Sequence, residues 1–367
     1  MKTRRQFIQS SVSLSVSAAA AGFALPGFAQ ARTFEPKPGD WRTFDVTTRV
    51  DLLAPKGVTR VWLPVPSVDS EWQSSLDSRS ITNGKIQMTS DGVSGARMVY
   101  AEFDANEPAP YVEVTSRVRT RNRATDWRSR TAVNEDADTL AYHTRPTALI
   151  PTDGIVLKTA LEATRGARTD EEKARAIYDW IVANTYREPK VRGCGEGDIK
   201  SMLETGNLGG KCADLNALFV GLCRAVKLPA RDFYGLRLAP SAFGYRELGG
   251  NSASLKGAQH CRAEVYLQAR GWTAMDPADV AKVMRQETPE WIKTTQNSLV
   301  APVNKALFGG WEGNWLAWNS AHDVKLPNSR GPKMGFVMYP IAEGADGRYD
   351  SYAPDDFKYQ ISAREIV

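Results

Sequence analysis

The chain has 367 residues, 42% of them hydrophobic and 24% charged, with 29 Gly and 20 Pro. This balance excludes collagen, coiled coil and wholesale disorder, and the length allows two domains or one enlarged domain with an appendage. The net charge of +5 falls to +2 without Lys2, Arg4 and Arg5. No basic run is interleaved with aromatics, so nucleic acid is not an expected partner.

Residues 1–31 read as an address. A basic start, an apolar stretch from Val12 to Leu25 and the small-residue end Ala29-Gln30-Ala31 are the parts of a secretory signal. Ser13, Ser15 and Ser17 dilute the apolar run, which would make a poor membrane span. Arg4-Arg5 followed by Gln6-Phe7-Ile8 resembles the twin-arginine signals of bacteria. The expectation is export to the periplasm or beyond, with no membrane attachment once the signal is removed; the alternative is an anchor that is never cleaved. Cys194, Cys212, Cys223 and Cys261 are too sparse for a disulfide scaffold, and no CxxC pair or zinc-ligand spacing occurs. No metal and no cofactor are expected. One disulfide among Cys194, Cys223 and Cys261 stays open.

The segment 32–140 is strand-like. Thr43–Leu52, Val58–Val65 and Tyr111–Val118 are rich in β-branched and apolar residues, and Asn83-Gly84 and Asp91-Gly92 mark turns. An antiparallel β-sandwich without His or Cys is expected, shaping a cleft or binding a partner rather than doing chemistry.

The period then changes over 141–284. Thr169 and Glu172 form a capping box, and Ala174, Ile177, Tyr178 and Ile181 give a helix running to about Asn184. After the Gly-rich loop Gly193–Gly197, Gly209-Gly210-Lys211-Cys212 opens a second helix striped by Leu215, Leu218, Phe219, Leu222 and Val226 and stopped by Pro229. Strands are expected at Arg231–Leu238, Arg262–Leu267 and Trp272–Asp276, giving an α+β core. The remaining 285–367 is read as an extension packed on that core, its clustered tryptophans more often core-filling than cleft-lining.

Gly210-Lys211-Cys212 is not a phosphate loop, because Thr205 stands where the first Gly is needed and Cys212 where a hydroxyl is needed. Cys212 instead sits in the first turn of a helix, where the macrodipole and unpaired N–H groups favour the thiolate. Its own N–H is placed to stabilise an oxyanion. Cys223, on nearly the same helix face, is a core thiol by comparison. Of the three histidines, His260 opens a strand that turns at Gln268–Gly271 and returns through Trp272–Asp276. Folding about residue 268 sets His260 opposite Asp276 on one face, an imidazole–carboxylate pair beside a nucleophile.

At these residues the chain resembles the transglutaminase-like superfamily. Gly209–Phe219 with Leu222–Arg231 resembles its nucleophile motif, and His260–Tyr266, Gly271-Trp272 and Asp276-Pro277 resemble its second and third. The helix 171–184 and Tyr186 resemble the segment before the nucleophile, so the likeness spans roughly 165–282. It implies a papain-like α+β fold with Cys212, His260 and Asp276 as a triad. Where the family commonly has Trp two residues after the His, this chain has Arg262, which could bind a substrate carboxylate or pair with Glu264. Tyr186 is the candidate for the second oxyanion donor. The paired CxxC site of the peptide N-glycanase branch and the acidic clusters of calcium-regulated transglutaminases are missing. The expected function is an exported thiol enzyme acting on amide bonds of peptides, proteins or peptidoglycan through a thioester, with hydrolysis favoured over acyl transfer. The alternative is a non-catalytic peptide-binding module of the same fold.

Overall fold

The computed structural model describes residues 32–53, 55–131 and 133–366; the signal reading at 1–31 lies outside them. Two antiparallel sheets build the β-rich part. One runs in the order Tyr359–Ile366, Arg42–Asp51, Tyr111–Thr120, Gln73–Thr82, and the other in the order Gly347–Arg348, Ile341–Gly344, Thr59–Pro64, Arg97–Phe103, Lys85–Ser90. Alternation along Tyr111–Thr120 buries Val112, Val114 and Val118, which join Phe44, Val46, Val61, Leu63 and Val99 in one core. The Asn83-Gly84 turn carries the chain from one sheet to the other, and a Cβ on Gly84 would lie 2.6 Å from the Phe103 ring. The last strand pairs with the first, Val50 with Tyr359 through Thr43 with Ile366, so stretches more than 300 residues apart share one sheet.

The helical part forms as its caps dictate. Thr169 and Glu172 make the reciprocal capping box that starts Asp170–Asn184, whose Ala174, Ile177, Tyr178 and Ile181 are buried. Every residue of the helix Cys212–Ala225 is buried, beyond the single stripe that its apolar spacing suggests. It packs on the fully buried strand Gln259–Leu267. That strand is second in a four-stranded sheet with Gly271–Met275, Ala230–Arg237 and Trp315–Asn319. Trp311 and Trp315 are buried, with ring centroids 5.7 Å apart, and fill the core. Among the described residues no helix is long and apolar enough to cross a membrane. The architecture is α+β: a papain-like, transglutaminase-like core with antiparallel sheets that draw strands from both 42–120 and 341–366.

The register of the 259–275 hairpin differs from the expected one. Leu267 faces Gly271 and Ala263 faces Met275, so the fold axis lies at residue 269, not 268. The turn tightens around Gly271, whose φ of +73° is a conformation favouring glycine. This places Arg262, rather than His260, across from the chain at Asp276. A shift of two residues preserves the side-chain face, whereas a shift of one would have reversed it. His260 and Asp276 therefore still project to the same side.

Candidate active site

Cys212 is the first residue of its helix, and hydrogen bonds fasten the turn around it. The Asp214 carboxylate accepts from the backbone N–H groups of Glu196, Gly197 and Lys211, each at 2.9 Å. It thereby ties the loop 193–197 to the helix start. Gly195, at φ +90°, touches this carboxylate so closely that an added Cβ would sit 1.8 Å from its Oδ2. Ala213 N–H donates to the Cys194 carbonyl at 2.9 Å. With its neighbours Lys211 and Ala213 engaged, the Cys212 N–H carries no hydrogen bond among the described residues.

The imidazole is held from behind. His260 Nε2 lies 2.7 Å from Asp276 Oδ2 and 3.3 Å from Asp279 Oδ2. This commits Nε2 to carboxylates and leaves Nδ1 as the ring nitrogen free for Cys212, which lines the same cleft and whose thiol His260 helps to lower. Asp276 caps the helix Pro277–Gln286 by accepting from Asp279 N–H at 3.2 Å, and it accepts from Asn216 Nδ2 at 3.3 Å. Arg237 donates to Asp279 at 2.5 Å, and Arg262 Nε stands 3.5 Å from Asp276 Oδ2. His260, Asp276 and Asp279 are close enough to share a cation. His260, Asn216 and the Asp279 N–H already donate to Asp276, and Arg237 donates to Asp279, so the donor set suits an imidazolium better than a metal ion.

Burial and Arg237 lower the His260 pKa, but Asp279, Asp276 and the hydrogen bond to Asp276 outweigh them and raise it to about 9. Burial raises the Cys212 pKa, yet hydrogen bonds with Cys194, Cys261 and His260 hold it well below the ordinary thiol range. These opposed directions favour a thiolate–imidazolium pair over a neutral thiol and imidazole. The other thiols go the opposite way. A hydrogen bond with Cys212 raises Cys194, and burial raises Cys223 and Cys261. All four cysteines are free, so none of the disulfides left open by the sequence is formed.

A cleft of about 530 Å³ opens on Cys212 and His260, lined also by Cys194, Gln259, Tyr339 and Tyr352. A larger groove of about 730 Å³, bordered by Phe34, Trp127 and Phe308, contains none of these groups. Gln259 is buried and its Nε2 has no partner among the described residues. Two residues named from the sequence lie off the cleft. Arg262 is only 2% exposed, with its guanidinium over Trp315 and donating to the Glu312 carbonyl at 2.8 Å. Glu264, the alternative partner, is bonded instead by Arg123 and Arg231. Tyr186 packs over Gly209 and tilts against Trp291, with ring centroids 5.6 Å apart. His143 packs against Trp272 and burial lowers its pKa to about 3; His322 is likewise kept neutral by burial.

Residues 158–277 match the transglutaminase-like superfamily. An uncharacterized protein of Haemophilus influenzae is 32% identical over 349 residues, covering 89% of this chain and 92% of that protein. The chain belongs to the same family as that protein and carries a transglutaminase-like domain. Among solved structures, a proposed cysteine protease from Cytophaga hutchinsonii superposes with a TM-score of 0.51 at 19% identity, over 89% of this chain and 99% of that one. The periplasmic domain of TgpA from Pseudomonas aeruginosa is a more distant likeness, at 13% identity and TM-score 0.34 over 72% of this chain and 93% of that one.

Proposed function

We propose that the protein is an exported thiol amidase that cleaves amide bonds of peptides, proteins or cell-wall cross-links with Cys212, His260 and Asp276. The observation that carries this reading is that buried Cys212 and His260 face one cleft, with Asp276 2.7 Å behind the imidazole, a lowered thiol and a raised imidazole. The thiolate attacks the amide carbonyl carbon, and the oxyanion that forms is met by the Cys212 N–H. The unpartnered Gln259 amide is a better second donor than Tyr186, because it lines the cleft and Tyr186 does not. The imidazolium gives its proton to the departing amine, leaving a thioester on Cys212. Neutral His260 then takes a proton from water as that water attacks the thioester, and the acid leaves with the thiolate restored.

Hydrolysis is favoured over transfer to an amine. A transferase must exclude water from the thioester, whereas this cleft is lined mostly by charged, polar and glycine residues, Arg187, Lys211, Lys256, Gly249 and Gly250 among them. Arg262, held against Asp276, is a positioning residue rather than a substrate contact. The test is a screen of the purified protein against peptide and peptidoglycan amides, with and without an added primary amine. Release of free acid by the wild type is expected. Amine incorporation outrunning hydrolysis would overturn the hydrolase assignment, and reversible peptide binding without cleavage would favour a binding module.

A further inference from the structure

The cleft beside Cys212 is lined by five cations, Arg187, Lys211, Arg237, Lys256 and Lys282, and among the described residues by no carboxylate. Three already have carboxylate partners. Arg237 is bound to Asp279, Lys256 to Asp355, and Lys282 to Glu247 at 3.4 Å. Arg187 and Lys211 are different. Arg187 Nε donates to the neutral amide of Gln286 at 3.0 Å, and among the described residues neither cation meets a carboxylate within 4.0 Å.

Backbone pairing explains why they stand together. The short parallel ladder sets Tyr186 beside Gly209 and Arg187 beside Gly210. Arg187 is thus aligned with the residue just before Lys211, and Lys211 directly precedes Cys212. Both side chains are half-buried. Burial and the adjacent Arg187 charge push the Lys211 ammonium down from its ordinary value, and Cys194, Cys212 and Asp214 offset this only in part. Two like charges held at the lip of a cleft repel each other unless an anion joins them.

We propose that Arg187 and Lys211 form an anion subsite selecting amide substrates that carry a carboxylate within about one residue of the scissile carbonyl. The inference rests on Cys212 being the nucleophile. The carboxylate is either an acidic side chain or a free chain terminus, and both present the same planar oxygens to a guanidinium and an ammonium.

The probes are thiol-directed, so no natural substrate is needed. Cys212 labelling by iodoacetyl-glutamate α-amide is compared with labelling by its glutamine counterpart, and iodoacetyl-glycine with its amide. The first pair reports an acidic side chain and the second a terminal carboxylate. For at least one pair the charged probe should label Cys212 about tenfold faster at low salt, the size of one modest charge-assisted contact. That ratio should fall towards one on adding salt, and also in the Arg187→Gln and Lys211→Gln variants. The salt response of the wild type stands even where a variant folds poorly. Ratios near one in both pairs, or a preference that ignores salt and both substitutions, would overturn the subsite. Failure of every probe to label Cys212 would instead overturn the nucleophile assignment, and the subsite with it.

Discussion

Replacing Cys212 by alanine is expected to lower turnover of any amide the protein cleaves by about 10⁵- to 10⁶-fold, because no other group in the cleft can take its place. Cys194 lines the same cleft, but its hydrogen bond with Cys212 raises its pKa and keeps it a thiol. A thiol attacks far more slowly than a thiolate. His260→Ala should cost a similar factor, since His260 both sustains the thiolate and protonates the leaving amine. The double variant should be little worse than either single one, because groups that act as a unit do not contribute additively. Steady-state rates on the best amide from the screen measure this. Retention of more than about a hundredth of the rate in Cys212→Ala would show that the chemistry lies elsewhere.

Asp276→Ala is expected to lower kcat by about 10²- to 10⁴-fold and to destabilise the fold as well. Asp276 orients the imidazole at 2.7 Å, receives Asn216, caps a helix and faces Arg262. Removing one partner of a buried charge pair costs about 3–5 kcal/mol, since the remaining charge stays buried. Asp276→Asn should retain more activity than the alanine variant, because Asp279 Oδ2 remains 3.3 Å from Nε2. The pH response separates orientation from charge. With the His260 pKa raised to about 9, activity should fall as pH rises through about 9 in the wild type. The stability that the imidazolium contributes is fully present below its ordinary value of 6.5 and is lost as pH rises through about 9. In Asp276→Asn the alkaline limb of activity should move to lower pH. An unmoved limb would mean that Asp276 does not set the charge of His260.

The residues of the proposed triad were more legible in the sequence than their supports. Cys212 was legible because Gly209-Gly210 precede a helix start, and His260 with Asp276 because a two-residue period assigns faces even when the register is displaced by two. Asp279 had a local signal: an acid three residues after a capping Asp, ahead of Val280 and Val283. Asp214 sits at the same third position of its own helix. Asn216, Arg237 and Gln259 had none, because their partners lie across strands and helices that only the tertiary fold brings together. Arg262 shows the opposite error. A charged residue in a motif suggests a substrate contact, yet Arg262 stands 3.5 Å from Asp276 with its guanidinium over the buried Trp315 ring. The pairing of Tyr359–Ile366 with Arg42–Asp51 likewise depends on contacts between distant stretches that leave no local pattern.

The central claim is that Cys212 is a thiolate held by an imidazolium in a cleft, and the pH dependence of its alkylation by iodoacetamide tests it most directly. Residue-resolved mass spectrometry should find Cys212 labelled first, at a rate already near its plateau in mildly acidic solution, well below the ordinary thiol pKa of about 8.5. Cys194, Cys223 and Cys261, each buried and raised, should stay unlabelled while the protein is folded. A Cys212 rate that rises only above about pH 8, or another cysteine labelled ahead of it, would contradict the account.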